Sequence, residues 1–220
     1  GRQNSQDTLT FYSYLVNPNG ISDSIISKFR IVNSLKNSVG CLAFSQDGKT
    51  LCFSSFGTDI YIFNFNKETG QITFKDYVSH YTNEQVYANA ISPDGKKLYI
   101  TSWTPYGYSM LSQFDLSASN ITASRLNIDS VDYRNGSPNG YGFIGQIRLA
   151  PDQKIYVCRW NQNKPFVTNP NTYYSLDSID VINSPNLFGL ACNFKRNFLY
   201  LNHKPTEIGL PNFISNFTSL

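Results

Sequence analysis

Three copies of one turn constrain what this chain can fold into. Ser92-Pro93-Asp94-Gly95-Lys96 lies between two runs of apolar and β-branched residues, ending at Ile91 and restarting at Leu98-Tyr99-Ile100. Pro93 pre-sets φ at the first central turn position, Asp94 supplies a local acceptor, and Gly95 tolerates positive φ. Apolar runs on both sides of such a turn predict a β-hairpin. The same pattern occurs as Ser45-Gln46-Asp47-Gly48-Lys49 and as Ala150-Pro151-Asp152-Gln153-Lys154, with Gln153 standing where the other two copies have glycine. The copies begin at 45, 92 and 150, that is, 47 and 58 residues apart. A repeat of this length built only from short strands predicts an all-β fold, a β-propeller of four-stranded antiparallel blades.

The rest of the chain divides around these turns. Residues 9–32 form a hairpin about Asn17-Pro18-Asn19-Gly20, read as the outer half of a blade. Complete blades are expected over 39–78, 86–128 and 143–182, the second with an outer strand over Ile121–Ile128. A long insertion, Asn161 to Asn171, interrupts the third, and the shorter apolar runs of 187–217 would make a partial closing blade. About four blades are therefore present in one propeller region, 1–220. The unmatched half blade implies that the chain is the C-terminal part of a larger propeller, with a closed four-bladed ring as the alternative, since an open blade face is a patch that soluble monomers rarely expose.

Composition narrows the function. With 40% hydrophobic residues and a formal charge of +3, the chain has a core and no basic run of the kind that binds nucleic acid. No apolar stretch is long enough to span a bilayer. The four cysteines, Cys41, Cys52, Cys158 and Cys192, lack metal-ligand spacing and sit in strand-like runs, where reduced cysteine acts as a small hydrophobe; if a disulfide forms, Cys41 and Cys52 on neighbouring strands are the expected pair. The two histidines, His80 and His203, fall in connections and do not form a ligand set. Asp47, Asp94 and Asp152 are explained by their turns. No catalytic residue, metal site or cofactor is expected.

A binding surface is easier to place. Strand alternation puts the loops between second and third strands at one end of the propeller, together with the blade-to-blade connections, and the repeated turns at the other. Phe56, Trp103 and Trp160 close the three second strands at that first end, where aromatic side chains also serve blade packing. Tyr106, Tyr108 and Phe166 follow in the loops, and Tyr133 and Tyr141 lie in a connection. The candidate ligand-binding set is thus Trp103, Tyr106, Tyr108, Tyr133, Tyr141, Trp160 and Phe166. Tyrosines on loops of a rigid scaffold suit recognition of protein or carbohydrate.

An ordered series of segments adds a resemblance. Phe11-Tyr12-Ser13-Tyr14-Leu15-Val16, Phe63-Asn64-Phe65, Thr69-Gly70-Gln71-Ile72, Gln113-Phe114-Asp115-Leu116, the stretch Ile147 to Val157, the stretch Asn183 to Phe194, and Ile208-Gly209-Leu210-Pro211-Asn212-Phe213-Ile214 follow one another along nearly the whole chain. This series resembles the propeller region of large secreted Bacteroidota proteins that carry PKD-type modules and type IX secretion or gliding-motility sorting domains. The resemblance implies the C-terminal half of that propeller, with its remainder as a partner, export to the cell surface and no assigned catalytic residues. With the aromatic loops, the expectation is a non-enzymatic secreted or cell-surface binding or adhesion module. It departs at Gln153, and neither PKD modules nor a sorting domain is present in the 220 residues. Asp-Ser/Thr-apolar triplets at Thr8, Ser24, Ser130 and Ser178 fit an O-glycosylation pattern of exported proteins of that phylum. The rival reading is a lactonase-like propeller enzyme, whose family shares the Ser-Pro-Asp-Gly-Lys turn.

Overall fold

The computed structural model describes residues 7–31, 40–55, 59–79, 83–132, 143–160, 178–202 and 209–210. A long hairpin comes first, with β1 (Asp7–Ser13) paired to β4 (Ile25–Ile31) and a short tip of β2 (Val16–Asn17) and β3 (Gly20–Ile21). Three four-stranded antiparallel sheets follow in sequence order. Blade 1 is β5 (Gly40–Phe44), β6 (Thr50–Ser55), β7 (Ile60–Phe65) and β8 (Ile72–Val78). Blade 2 is β9 (Gln85–Ile91), β10 (Lys97–Trp103), β11 (Tyr108–Asp115) and β12 (Leu126–Asp132). Blade 3 is β13 (Phe143–Leu149), β14 (Ile155–Trp160), β15 (Ser178–Ile182) and β16 (Phe194–Tyr200).

The repeated turns fold as their sequences dictate. In the second copy the Gly95 N–H donates to Ser92 O at 2.9 Å, and Asp94 Oδ1 accepts from both the Ser92 hydroxyl (2.6 Å) and the Lys96 N–H (3.0 Å). The Ser45 turn repeats these bonds, and its hydroxyl is the main cause that holds the Asp47 carboxyl below the usual range. The third copy has Ala150 in place of the serine, and keeps the Lys154 N–H bond to Asp152 Oδ1 at 3.2 Å. Gln153 takes φ +66° there, the left-handed conformation that Gly48 and Gly95 adopt at +69° and +72°, where a side chain is disfavoured.

Blades pack face to face through three successive apolar layers. Leu9 and Ile31 of the hairpin meet Leu51, Tyr61, Phe63 and Ile72 of blade 1. Cys52, Ile60, Ile62 and Val78 of blade 1 meet Val86, Ile91, Leu98, Ile100 and Phe114 of blade 2. Ala88, Ala90, Tyr99, Leu111 and Val131 of blade 2 then meet Ile144, Ile147, Ile155, Val157 and Ile182 of blade 3. Meander sheets stacked in this way, with β5, β9 and β13 adjacent along one axis, form the radial arrangement of a β-propeller.

Two boundaries differ from the sequence reading. Residues 122–124 form a single 3-10 turn, and the outer strand of blade 2 starts only at Leu126. Ile121 is apolar because it plugs the blade 1–2 layer, not because it opens a strand. The apolar stretch from Leu187 holds a turn and a short 3-10 helix (Gly189–Cys192), and β16 pairs with β15 as the fourth strand of blade 3. Phe194–Tyr200 therefore completes blade 3 and does not belong to a separate closing blade.

All four cysteines are reduced and buried. Cys52 stands opposite Ala43, and Cys41 opposite Ser54, so the two cysteines are diagonal neighbours. Diagonal neighbours lie roughly 7–8 Å apart and their Cβ atoms only somewhat less, beyond the about 3.8 Å between Cβ atoms that a disulfide requires. Burial pushes the Cys52 and Cys158 thiols up to about 12 and raises Cys192 as well. The thiolate is the reactive species, so native protein should give almost no colour with a disulfide reagent such as DTNB at pH 8, and four thiols after denaturation. A fast-reacting native thiol would contradict this placement.

Candidate functional site

The register brings several of the predicted residues to one end. Trp103 pairs with both Gln85 and Ser109, Tyr108 with Asp132, and Phe143 with Trp160. The starts of β9, β11 and β13 and the ends of β10, β12 and β14 thus share an end, opposite the repeated turns. Tyr133, Tyr141, Phe166 and Phe56, and the histidines His80 and His203, lie outside the described residues, as does the side chain of Trp160.

The loop joining β10 to β11 is a tight turn. Gly107 N–H donates to Thr104 O at 3.1 Å, and Thr104 N–H to Tyr108 O at 2.8 Å. Pro105 holds the first central position, and Gly107 takes φ +88°, a conformation open to glycine. Tyr106 sits at the tip and is 62% exposed, with Tyr108 beside it at 39%. The Tyr106 hydroxyl accepts a long bond, 3.4 Å, from Asn83 Nδ2 in the connection between blades 1 and 2. These two rings are presented to solvent by a hydrogen-bonded turn, which limits the entropy lost on binding.

Trp103 is placed differently. Its ring stacks on Tyr87 (centroids 4.9 Å, 12° between planes) and lies 5.0 Å from Phe143 of blade 3. Its indole N–H donates to Ile144 O at 2.9 Å. Trp103 therefore rivets blade 2 to blade 3 beneath the tyrosines. The neighbouring bonds continue the seam, with the Thr101 hydroxyl donating to Gly145 O (2.8 Å) and Ile144 N–H to Ser109 Oγ (2.9 Å).

Polar groups that sequence reading passed over hold the blades in register. Gln113 is fully buried; its Nε2 donates to Leu187 O (2.8 Å) and its Oε1 accepts from Gly189 N–H (2.7 Å). Tyr99 Oη donates to Pro185 O at 2.9 Å, so the segment 184–189 of blade 3 is clamped onto blade 2. A second device is ionic. Arg159, on β14 and fully buried, pairs with Asp180 of β15 and with Asp129 of β12 (2.6 Å), and Arg196 of β16 also reaches Asp129. Glu84 and Arg125 make a bidentate pair in blade 2 at 2.5 and 2.6 Å, with the Ser102 hydroxyl bonded to the same carboxylate. The signal for such residues is a charged or amide side chain inside an apolar run, as in Val157-Cys158-Arg159.

Along the axis, β5, β9 and β13 line a recess of about 160 Å³, walled by Leu42, Ala43, Phe44, Asn89, Ala90, Ile91, Ile147, Arg148 and Leu149. Asn89 Nδ2 donates to Cys41 O and Ser54 Oγ. Neither histidine nor carboxylate is among these lining residues. Among the described residues there is no group of three or more His, Cys, Asp or Glu side chains placed to hold a metal, and no helix long and apolar enough to cross a membrane. Of the proposed glycan acceptors, Ser130 is exposed, whereas Ser178 is buried and bonded to Asn197 Oδ1 at 2.8 Å.

No protein-family model matches the sequence, and no curated protein matches it. Solved structures with a similar chain path include a Lactobacillus plantarum protein (19% identity, TM-score 0.46, 78% of this chain and 44% of that one). They also include TolB from Acinetobacter baumannii (18%, 0.40, 85% and 41%) and a putative 6-phosphogluconolactonase from Bacteroides uniformis (15%, 0.47, 82% and 51%). The chain spans about half or less of the length of each, and the propeller assignment rests on its own sheet order and apolar layers.

Proposed function

We propose that this chain is a non-enzymatic binding module of an exported or cell-surface protein, of the Bacteroidota propeller type, and that it recognises protein or carbohydrate at the end carrying Tyr106 and Tyr108. The observation that carries this reading is the exposed Tyr106 ring at the tip of a hydrogen-bonded turn, with Tyr108 adjacent. Rigid aromatic contact area with a polar tip favours association at low entropic cost. Tyr133, Tyr141 and Phe166 belong to the same proposed surface by sequence position.

Tyr106→Ala and Tyr108→Ala are expected to weaken capture of carbohydrate or of a cell-surface protein at least tenfold, measured on a glycan array and on intact cells. Exposed side chains cost little to remove, within about 0.5 kcal/mol, so thermal melts should hardly change. Binding unaffected by both changes would place recognition elsewhere. The lactonase reading has its own assay: hydrolysis of δ-gluconolactone above the buffer rate, lost when Arg148 or Asn89 of the axial recess is replaced, would overturn the non-enzymatic one.

A further inference from the structure

The face that blade 1 turns toward the first hairpin is only half covered. Phe63 and Leu51, near its middle, are 0% and 2% exposed, whereas Leu42 and Phe44 on its innermost strand are 48% and 38% exposed. The register puts all four on one face, with Leu42 opposite Phe53, Phe44 opposite Leu51, and Leu51 opposite Phe63. Phe44 also contacts Phe65 at 5.3 Å, so the uncovered side chains continue the buried layer. What covers the outer part is β1 and β4: Phe11 lies 5.2 Å from Phe63 and 6.2 Å from Phe53, and Phe29 lies 4.8 Å from Phe63.

Each of the three blades has four strands, whereas the β1–β4 sheet has two among the described residues. Because β4 stacks against β8, β1 and β4 stand where the third and fourth strands of a blade stand. The edge of β1 that faces the axis pairs with no strand among the described residues. An unpaired edge is a template for strand addition. Beside it lies an apolar layer ending in Leu42 and Phe44.

We propose that this slot is a docking site for a β-hairpin of the repeat's own inner type, two antiparallel strands joined by an Asp-Gly turn. Its second strand adds to β1, and its apolar face covers Leu42 and Phe44. The dimensions agree, since β10 forms seven pairs with β11 and β1 is seven residues long. The occupant thus supplies backbone donors and acceptors to β1 and alternate apolar side chains to blade 1, continuing the interface already built by β1 and β4. This site is separate from the tyrosine end and stands or falls independently of the ligand read there.

The probe is a fluorescein-labelled peptide with the sequence of residues 86–103, the inner hairpin of blade 2, added to the intact chain. Saturable binding at one peptide per chain is expected by fluorescence anisotropy, with a scrambled peptide at least tenfold weaker. Hydrogen exchange should show slower exchange of β1 amides in the bound state. Leu42→Lys and Phe44→Lys, at exposed positions that leave the fold intact by circular dichroism, should weaken the peptide at least tenfold. Absence of saturable binding, equal binding by both variants, or unchanged β1 exchange would overturn the proposal. So would sedimentation showing a dimer abolished by the same variants and closed to the peptide, because the occupant would then be a second copy.

Discussion

Arg159→Ala should be the most damaging single change outside the apolar layers, lowering stability by about 3–5 kcal/mol. Arg159 and Asp180 are both fully buried, and removing one partner of a buried ion pair leaves the other charge uncompensated in a poor solvent. For a domain of this size, that corresponds to a fall in Tm of roughly 6–20 °C. The loss should also loosen blade 3 from blade 2, because the same guanidinium reaches Asp129 on β12 at 2.6 Å. Arg196 keeps its own pair with Asp129, so the blades should stay associated. Denaturant unfolding reads the difference directly; a cost below 1 kcal/mol would mean that water reaches Asp180.

The pH dependence of that variant has a definite sign. Burial raises the Asp180 carboxyl above its ordinary value, against the lowering effect of Arg159 and of the Asn197 N–H bond at 2.8 Å. Taking Arg159 away removes the larger opposing cause and raises the carboxyl further. A carboxyl raised in the folded state favours folding when protonated, and that contribution is lost as pH rises through the folded pKa. The deficit of Arg159→Ala should therefore be smaller at pH 4.5 than at pH 7.5. Adding Asp180→Asn should recover part of it at pH 7.5, since a neutral amide can stay buried at lower cost than a lone carboxylate.

The inner hairpins were legible because their information is local. A Ser-Pro-Asp-Gly turn with apolar flanks specifies its bonds within five residues, and β10 begins and ends where the pattern places it. Outer strands are harder. β16 carries Lys195, Arg196 and Asn197 and is exposed along most of its length, so its sequence does not announce a strand. Leu187, Phe188 and Leu190 did announce one, yet they are 52%, 43% and 87% exposed in a turn and a 3-10 helix. That segment is held by Gln113 and Tyr99 from a different blade, partners more than 70 residues away. No local periodicity encodes such a clamp. Gly189 is legible only afterwards: it takes φ +64°, and a Cβ there would meet Leu126 Cδ1 at 3.3 Å.

The binding end was legible as a place, because alternation of strand direction is a property of the repeat. The roles of its aromatics were not, because a ring at a strand end can face either a neighbouring blade or solvent. Trp103 and Tyr106 are three residues apart and have opposite fates. One stacks between Tyr87 and Phe143, and the other projects from the turn.

Trp103→Ala should accordingly cost about 3 kcal/mol, the lower end for loss of a buried large aromatic, because the ring is only partly shielded. It removes two aromatic contacts, each worth about 0.5–1.5 kcal/mol beyond burial, and the indole bond to Ile144 O. Trp103→Phe separates these terms. Phenylalanine can still stack on Tyr87 but cannot donate to Ile144, and such a lost bond is worth about 1 kcal/mol. The pair also tests the assignment of the face. If Trp103 is a rivet, Trp103→Phe keeps ligand binding close to the parent while stability falls by that smaller amount. If instead it leaves the melt unchanged and abolishes binding, the indole touches ligand. The contact surface would then run from the tyrosine turn down to the blade seam.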